Sequence, residues 1–150
     1  GGWQHRLADH RLDNIEHRLA ELEQMQLGER TLDAVLLVKV YHDMYWAEPN
    51  SAWPPVTVDR VLDDIARALK PGGTLLLVDH SAVAGTGNAD AGRLHRIDEQ
   101  YARRDFESRG FRLIAHSDVL RRADDKRDMI SYKEPMLGKT DRFVLVFRKN

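Results

Sequence analysis

With 150 residues, 42% of them hydrophobic and 31% charged, and a formal charge of −1 at pH 7, the chain fits one globular domain with a core of its own. That charge balance excludes the global positive field of a nucleic-acid or anionic-membrane binder; no stretch is apolar enough to span a bilayer and no secretory leader is visible, so the expected compartment is the cytoplasm. The lack of cysteine removes disulfides, thiolate metal ligands and a cysteine nucleophile.

Residues 1–28 make the first expected unit. The pattern predicts an amphipathic helix from Trp3 to about Leu27, because Ala8, Leu12, Ile15, Leu19 and Leu22 recur at alternating steps of four and three among Arg, Glu, Asp and His. Gly28 stands where such a helix stops. Its seam either packs on the chain's own sheet or serves as a dimerising surface. His5, His10 and His17 fall on this segment and read as exposed, solubilising residues.

Residues 29–150 make the second unit. Leu32 to Val40 is a nearly continuous apolar run, which predicts a strand buried on both faces of a parallel sheet. The loop from Tyr41 to Pro55 carries Tyr41, Tyr45, Trp46 and Trp53. Val58, Val61, Leu62, Ile65, Ala66 and Leu69 mark one face of a helix capped by Thr57 or Asp59. Pro71-Gly72-Gly73 ends it and turns the chain into a strand from Thr74 to Val78. After a Gly- and Ala-rich loop over 81–92, a helix is expected from about Arg93 to Ser108 with Leu94, Ile97, Tyr101 and Phe106 inward and Gly110 beyond its end. Phe111 to His116 reads as a third strand, Arg121 to Asp128 as a solvated charge run, and Arg142 to Phe147 as a final strand after Gly138-Lys139-Thr140-Asp141.

Six pieces follow one another over residues 32–150: Val40-Tyr41-His42-Asp43, Leu69-Lys70-Pro71-Gly72-Gly73, Val78-Asp79-His80-Ser81, the 94–99 segment Leu-His-Arg-Ile-Asp-Glu, Arg109-Gly110-Phe111, and Gly-Lys-Thr-Asp-Arg-Phe at 138–143. In this order they resemble the C-terminal half of a class I S-adenosylmethionine-dependent methyltransferase, in particular a group of predicted bacterial methyltransferases. The resemblance implies an α/β fold: a truncated Rossmann-like half sheet of three or four strands, the last pair antiparallel, with flanking helices and the N-terminal amphipathic helix. It also implies S-adenosylmethionine as cofactor and a small-molecule substrate. The family's first half supplies a Gly-x-Gly turn and a ribose-gripping acid; neither occurs here, and Gly85-Thr86-Gly87 falls in the loop after the family's fifth strand. Cofactor-binding residues are therefore unassigned. A half sheet leaves the 32–40 strand as an apolar edge, which invites aggregation. The expected remedy is a homodimer through the N-terminal helix and the 32–40 edge strand; cover by the helix alone, or a second polypeptide, are the alternatives.

Open α/β sheets bind ligands at the carboxyl ends of their strands. Two predicted strands end in Tyr41-His42-Asp43 and Asp79-His80-Ser81, which makes His42, Asp43, Asp79 and His80 the candidate catalytic residues. Tyr41, Tyr45, Trp46, His95 and Asp98 are candidate substrate-binding residues, the last two sharing a helix face at a spacing of three. Methyl transfer needs alignment and at most one base, for which His42, His80 or Asp43 would serve. A repurposed hydrolase is the runner-up. No spacing is a metal signature such as His-Glu-x-x-His, so no resident metal is expected. If a divalent ion is present, zinc or manganese would suit His42, Asp43, Asp79, His80 and His95. A serine triad through Ser81 is disfavoured, since neighbours on a strand point to opposite faces and no Gly-x-Ser-x-Gly elbow is present. Against these stand a non-catalytic, self-associating remnant and the simple use of Asp and His to cap local backbone.

Overall fold

The structure, a computed structural model, describes residues 2–10, 12–47 and 55–150. Four strands form one sheet: β1 (Leu32–Val38), β2 (Leu69–His80), β3 (Phe111–Ser117) and β4 (Arg142–Lys149), in the order β1-β2-β4-β3. β1 runs parallel to β2, with Leu37 opposite Leu77 and Val38 opposite Val78. β4 is antiparallel to both β2 and β3, and sets Phe143 opposite Asp79 and Arg142 opposite His80. This is the expected half sheet with its last pair antiparallel.

The core lies on one face. Leu75 and Leu77 of β2 alternate with more exposed neighbours, as do Phe143, Leu145 and Phe147 of β4, and these side chains are buried. Helix α2 (Val58–Ala68) covers them with Val61, Leu62 and Ile65, and helix α4 (Glu99–Glu107) with Ala102 and Phe106. Each of these Val, Leu, Ile and Phe side chains contributes about 1.5–3 kcal/mol on burial. The expectation that the 32–40 strand is buried on both faces is corrected: Leu37 is covered, but Leu36 is 64% and Val38 45% exposed. β1 is the sheet edge.

The segment after α2 departs from a simple turn. Leu32 pairs with Leu69 and Ala34 with Thr74, so Lys70 to Gly73 bulge out of β2. Gly72 sits at φ 79, a left-handed conformation that side chains resist. At Gly73 a Cβ would lie 2.8 Å from the Lys70 carbonyl oxygen and 3.2 Å from that of Asp33.

Three further expectations change. The N-terminal helix is confined to α1 (Gly2–Leu7), followed by a 3-10 turn at Ala8–His10 in which Asp9 adopts φ 57. Ile15 and Leu19 of the expected seam are exposed, Leu19 at 95%. A helical seam with no surface to bury is marginal in water; Leu22, Met25 and Leu27 instead pack irregularly on the core beside β1. The helix expected over 93–108 is split into α3 (Ala91–Leu94) and α4 by His95 at φ 50. Between them Ile97 pairs with β2's end: its N–H donates to the His80 carbonyl, and its own carbonyl accepts the Ala82 N–H, both at 2.9 Å. The charge run is not simply solvated. Asp125 is buried and holds the fully buried Arg96 at 2.8 and 3.2 Å, and it also accepts the Asp141 N–H at 2.6 Å. Arg96 donates further to the Ser81 and Met129 carbonyls. Burying such a pair is tolerable only because every remaining polar atom finds a partner. No helix among the described residues is long and apolar enough to cross a membrane.

Candidate functional site

β1 and β2 end side by side. Lys39, at φ 57, turns the chain out of β1 while its N–H still donates to the Val78 carbonyl at 2.7 Å. The chain then coils into a 3-10 turn, His42–Tyr45, above the end of β2. Lys39, His42, Asp43, His80, His95 and Tyr132 line a cavity of about 310 Å³ at this end.

Asp79 is the anchor. Its Oδ2 accepts the His42 backbone N–H at 2.9 Å, and its Oδ1 lies 2.6 Å from His42 Nδ1. The same Oδ1 accepts the His80 N–H at 2.7 Å. On its other side, His42 Nε2 lies 3.0 Å from Asp43 Oδ1, which in turn is 3.2 Å from His95 Nδ1. The His42 ring stands 5.7 Å from the His80 ring and 5.4 Å from the His95 ring. His95 is held between Trp46, at 5.3 Å, and Tyr132, at 4.7 Å.

These surroundings separate the histidines. Burial works against charge on His42, but hydrogen bonds to Asp43 and Asp79 and their negative charges overrule it and raise its pKa to about 9. Burial lowers His80 to about 4; Asp79 opposes this, while the charges of His42, Arg96 and Lys39 add to it. His95 is lowered by burial and then by the charge of His42. For Asp43, burial would raise the pKa, yet the hydrogen bond and charge of His42, with help from His95, bring it below the ordinary value.

The structure thus brings His42, Asp43, Asp79, His80 and His95 together, with Trp46 against His95. Asp79 is fully buried behind His42, so it orients the site rather than lining it. Tyr41 and Tyr45, expected to bind substrate, point elsewhere: both hydroxyls donate to Asp105 Oδ2 of α4 at 2.6 Å, and the Tyr41 ring packs on Phe106. Burial, with the neighbouring Asp105 carboxylate, raises both phenols far above their ordinary value. Asp98 is also corrected. Its Oδ1 accepts the Gln100 N–H at 2.9 Å, capping α4, and its Oδ2 accepts the Gly85 N–H at 2.8 Å. The helix face it was expected to share with His95 does not exist, because the chain breaks at His95. Ser81 Oγ accepts from Arg121 at 3.3 Å, whereas His80 Nδ1 pairs with Thr140 Oγ1 at 2.7 Å. Trp53 lies outside the described residues. Lys39, Thr140 and Tyr132 are the additions. Lys39 and Thr140 stood in or beside the motifs; Tyr132 carried no local signal and arrives from a distant loop.

For a metal, His42, Asp43 and His95 each offer one ligand atom, all within 4.8 Å of one another. For S-adenosylmethionine, the Gly85-Thr86-Gly87 turn does not fit: the Gly85 N–H is committed to Asp98 and the Thr86 N–H to the Val83 carbonyl, so neither is left to receive a ligand. A larger recess of about 520 Å³ lies at the opposite end of the sheet, beside Arg30, Arg67 and Arg109. It is at the amino ends of the parallel strands, the wrong end for this architecture. Its arginines are already paired, Arg67 with Asp64 and Arg109 with Asp59, Asp63 and Asp105.

Comparison with known proteins agrees with this fold. The family profile described as a methyltransferase domain matches residues 3–77, half of the chain. Among solved structures, a SAM-dependent methyltransferase from Aquifex aeolicus is similar at TM-score 0.61 and 16% identity, over 99% of this chain and 61% of that one. The Burkholderia thailandensis 1,6-didemethyltoxoflavin-N1-methyltransferase, solved with 1,6-didemethyltoxoflavin and S-adenosylhomocysteine, is similar at TM-score 0.62 and 15% identity, over 98% and 56%. The [4+2]-cyclase SpnF is similar at TM-score 0.62 and 15% identity, over 97% and 58%. No curated protein matches by sequence. At these identities the likeness is one of fold, and the cyclase shows that this fold is not tied to one reaction. The chain spans 56–61% of the length of these three structures.

Proposed function

This chain belongs to the methyltransferase-domain family, and from that premise we propose that it forms the acceptor side of an S-adenosylmethionine-dependent methyl-transfer site for a small molecule in the cytoplasm. The observation that carries the reading is the convergence of His42, Asp43, His80 and His95 on one cavity at the carboxyl ends of the parallel pair. When bound, S-adenosylmethionine would supply the methyl group. The chain's own residues would position the acceptor and take its proton. His80, tied through Nδ1 to Thr140, has Nε2 left for that proton. Trp46 and Tyr132 fix His95 as one wall, and Lys39 offers a positive charge to an anionic acceptor.

The test is incubation with S-adenosylmethionine and a panel of small nucleophiles, with S-adenosylhomocysteine read by mass spectrometry. Acceptor-dependent product that falls about a hundredfold in His80→Asn supports the reading. Turnover untouched by that substitution, or no acceptor methylated, overturns it.

We also propose that the edge of β1 pairs with a second copy of the chain. Leu36, Val38 and Val40 are exposed along it, next to an apolar recess of about 310 Å³ formed with Leu22, Met25 and Leu27. The N-terminal half of the expected interface lacks the continuous helix it was built on, so the strand carries this proposal.

A further inference from the structure

We propose that His42, Asp43 and His95 form a binding site for one divalent transition-metal ion of the zinc class, with Asp79 orienting the set from behind. This goes beyond the methyl-transfer reading and stands without it, because it rests on the donor atoms alone.

The donors are two imidazoles and one carboxylate, a mixture that suits borderline ions rather than magnesium or calcium. Ligands held at 2.0–2.2 Å around a tetrahedral ion stand roughly 3.3 Å from one another. His42 Nε2 lies 3.0 Å from Asp43 Oδ1, and that oxygen lies 3.2 Å from His95 Nδ1. Each of the three residues offers one ligand atom, and these lie within 4.8 Å of one another.

Each ligand is held independently. The buried Asp79 carboxylate takes both the backbone N–H of His42 and its Nδ1, which leaves Nε2 as the coordinating nitrogen; a carboxylate on the far side of a ligating histidine is the usual arrangement behind such an ion. His95 sits at the left-handed break between α3 and α4, its ring braced by Trp46 and Tyr132. Asp43 follows His42 on the same 3-10 turn. Asp79 and His80, considered as ligands on sequence grounds, are not among the three, since Asp79 is spent on His42 and His80 Nδ1 on Thr140. Three protein ligands leave a fourth position, and it opens on the cavity beside Lys39 and His80. That is the layout of a site that keeps one place for water or a small ligand. The competing occupant is a proton on His42, which would satisfy the same two carboxylates.

The experiment titrates the full chain, stripped with a chelator, with cobalt(II) as an optical probe and zinc by competition with a chromogenic chelator. Neither cofactor nor methyl acceptor is present, so failure here is distinct from failure of the methyl-transfer reading. The expected result is one ion per chain with a tetrahedral cobalt spectrum. His95→Ala and Asp43→Asn each weaken affinity about tenfold or more, and Asp79→Asn weakens it about 10–100-fold. The His5→Ala/His17→Ala double variant, outside the cluster, leaves affinity unchanged. Circular dichroism checks that each variant folds, and His95→Gln replaces His95→Ala if the latter does not. No uptake by the wild-type chain, affinity indifferent to the His95 and Asp43 variants, or uptake abolished by the His5/His17 variant overturns the proposal.

Discussion

Asp79 Oδ1 lies 2.6 Å from His42 Nδ1 while Asp79 Oδ2 accepts the His42 backbone N–H, so one fully buried carboxylate clamps both the ring and the main chain of the residue above it. The end of β2 thereby dictates where the turn after β1 can go. Asp79→Asn removes the charge and puts an amide NH2 among three N–H donors. It should cost about 2–3 kcal/mol, as expected for losing hydrogen bonds to a charged group. Urea unfolding measures this; a loss below about 0.5 kcal/mol, the range of ordinary surface changes, would mean the clamp is not structural.

Tyr41→Phe and Tyr45→Phe should each destabilise by about 1.5–3 kcal/mol, because each loses one hydroxyl donated to the Asp105 carboxylate. Neither should alter ligand or metal affinity at the His42 cluster. A tenfold change in such affinity on either substitution would restore these tyrosines to the binding site.

Acid should unfold the chain partly through Asp125 and Asp141. Burial alone would raise both carboxyls, but Arg96 and the N–H groups of Asp141 and Arg127 hold Asp125 below the ordinary 3.8. The Arg122 N–H, the Ser81 hydroxyl, Arg127 and Arg121 do the same for Asp141. With folded values below unfolded ones, the stability they confer is present above pH 3.8 and lost as pH falls through the folded values. Urea midpoints measured down the acid range should fall less steeply in Asp125→Asn, from a lower starting stability.

Gly73→Ala should cost about 1–3 kcal/mol, because its Cβ meets two backbone carbonyls that have no flexible side chain to give way. Thermal or urea unfolding decides it. An unchanged midpoint would show that the bulge between β1 and β2 relaxes freely.

Leu36→Lys should shift the chain toward monomer in light scattering, since it places a charge on the exposed edge of β1 without touching the buried Leu37. An unchanged mass across a concentration series would remove that edge as the pairing surface.

Much of the site is legible in the sequence. Val40-Tyr41-His42-Asp43 and Val78-Asp79-His80 announce themselves because an apolar strand that ends in polar residues is a local pattern, and the parallel-sheet rule says where such ends meet. The motif points to His95 through a spacing to Asp98 that presumes a helix, and the left-handed His95 interrupts that helix. Tyr41 and Tyr45 misled because aromatic residues near a cleft look alike whether they face it or the core. Asp105, sixty or more positions away, makes the choice. The N-terminal seam misled because heptad spacing reports what a helix would bury, not whether a surface exists to receive it.

The sequence by itself determined the strand and helix order, the methyltransferase kinship and the pair of polar strand ends, since periodicity and turn residues act over a few positions. Only the tertiary structure decided which carboxylate serves which base. Asp79 holds His42, Asp98 caps α4, Asp105 bolts two tyrosines, and Asp125 holds Arg96. In sequence these are four similar aspartates. Their roles separate only when folding buries each beside a particular donor, because a buried carboxylate must find partners and only packing determines which donors are within reach.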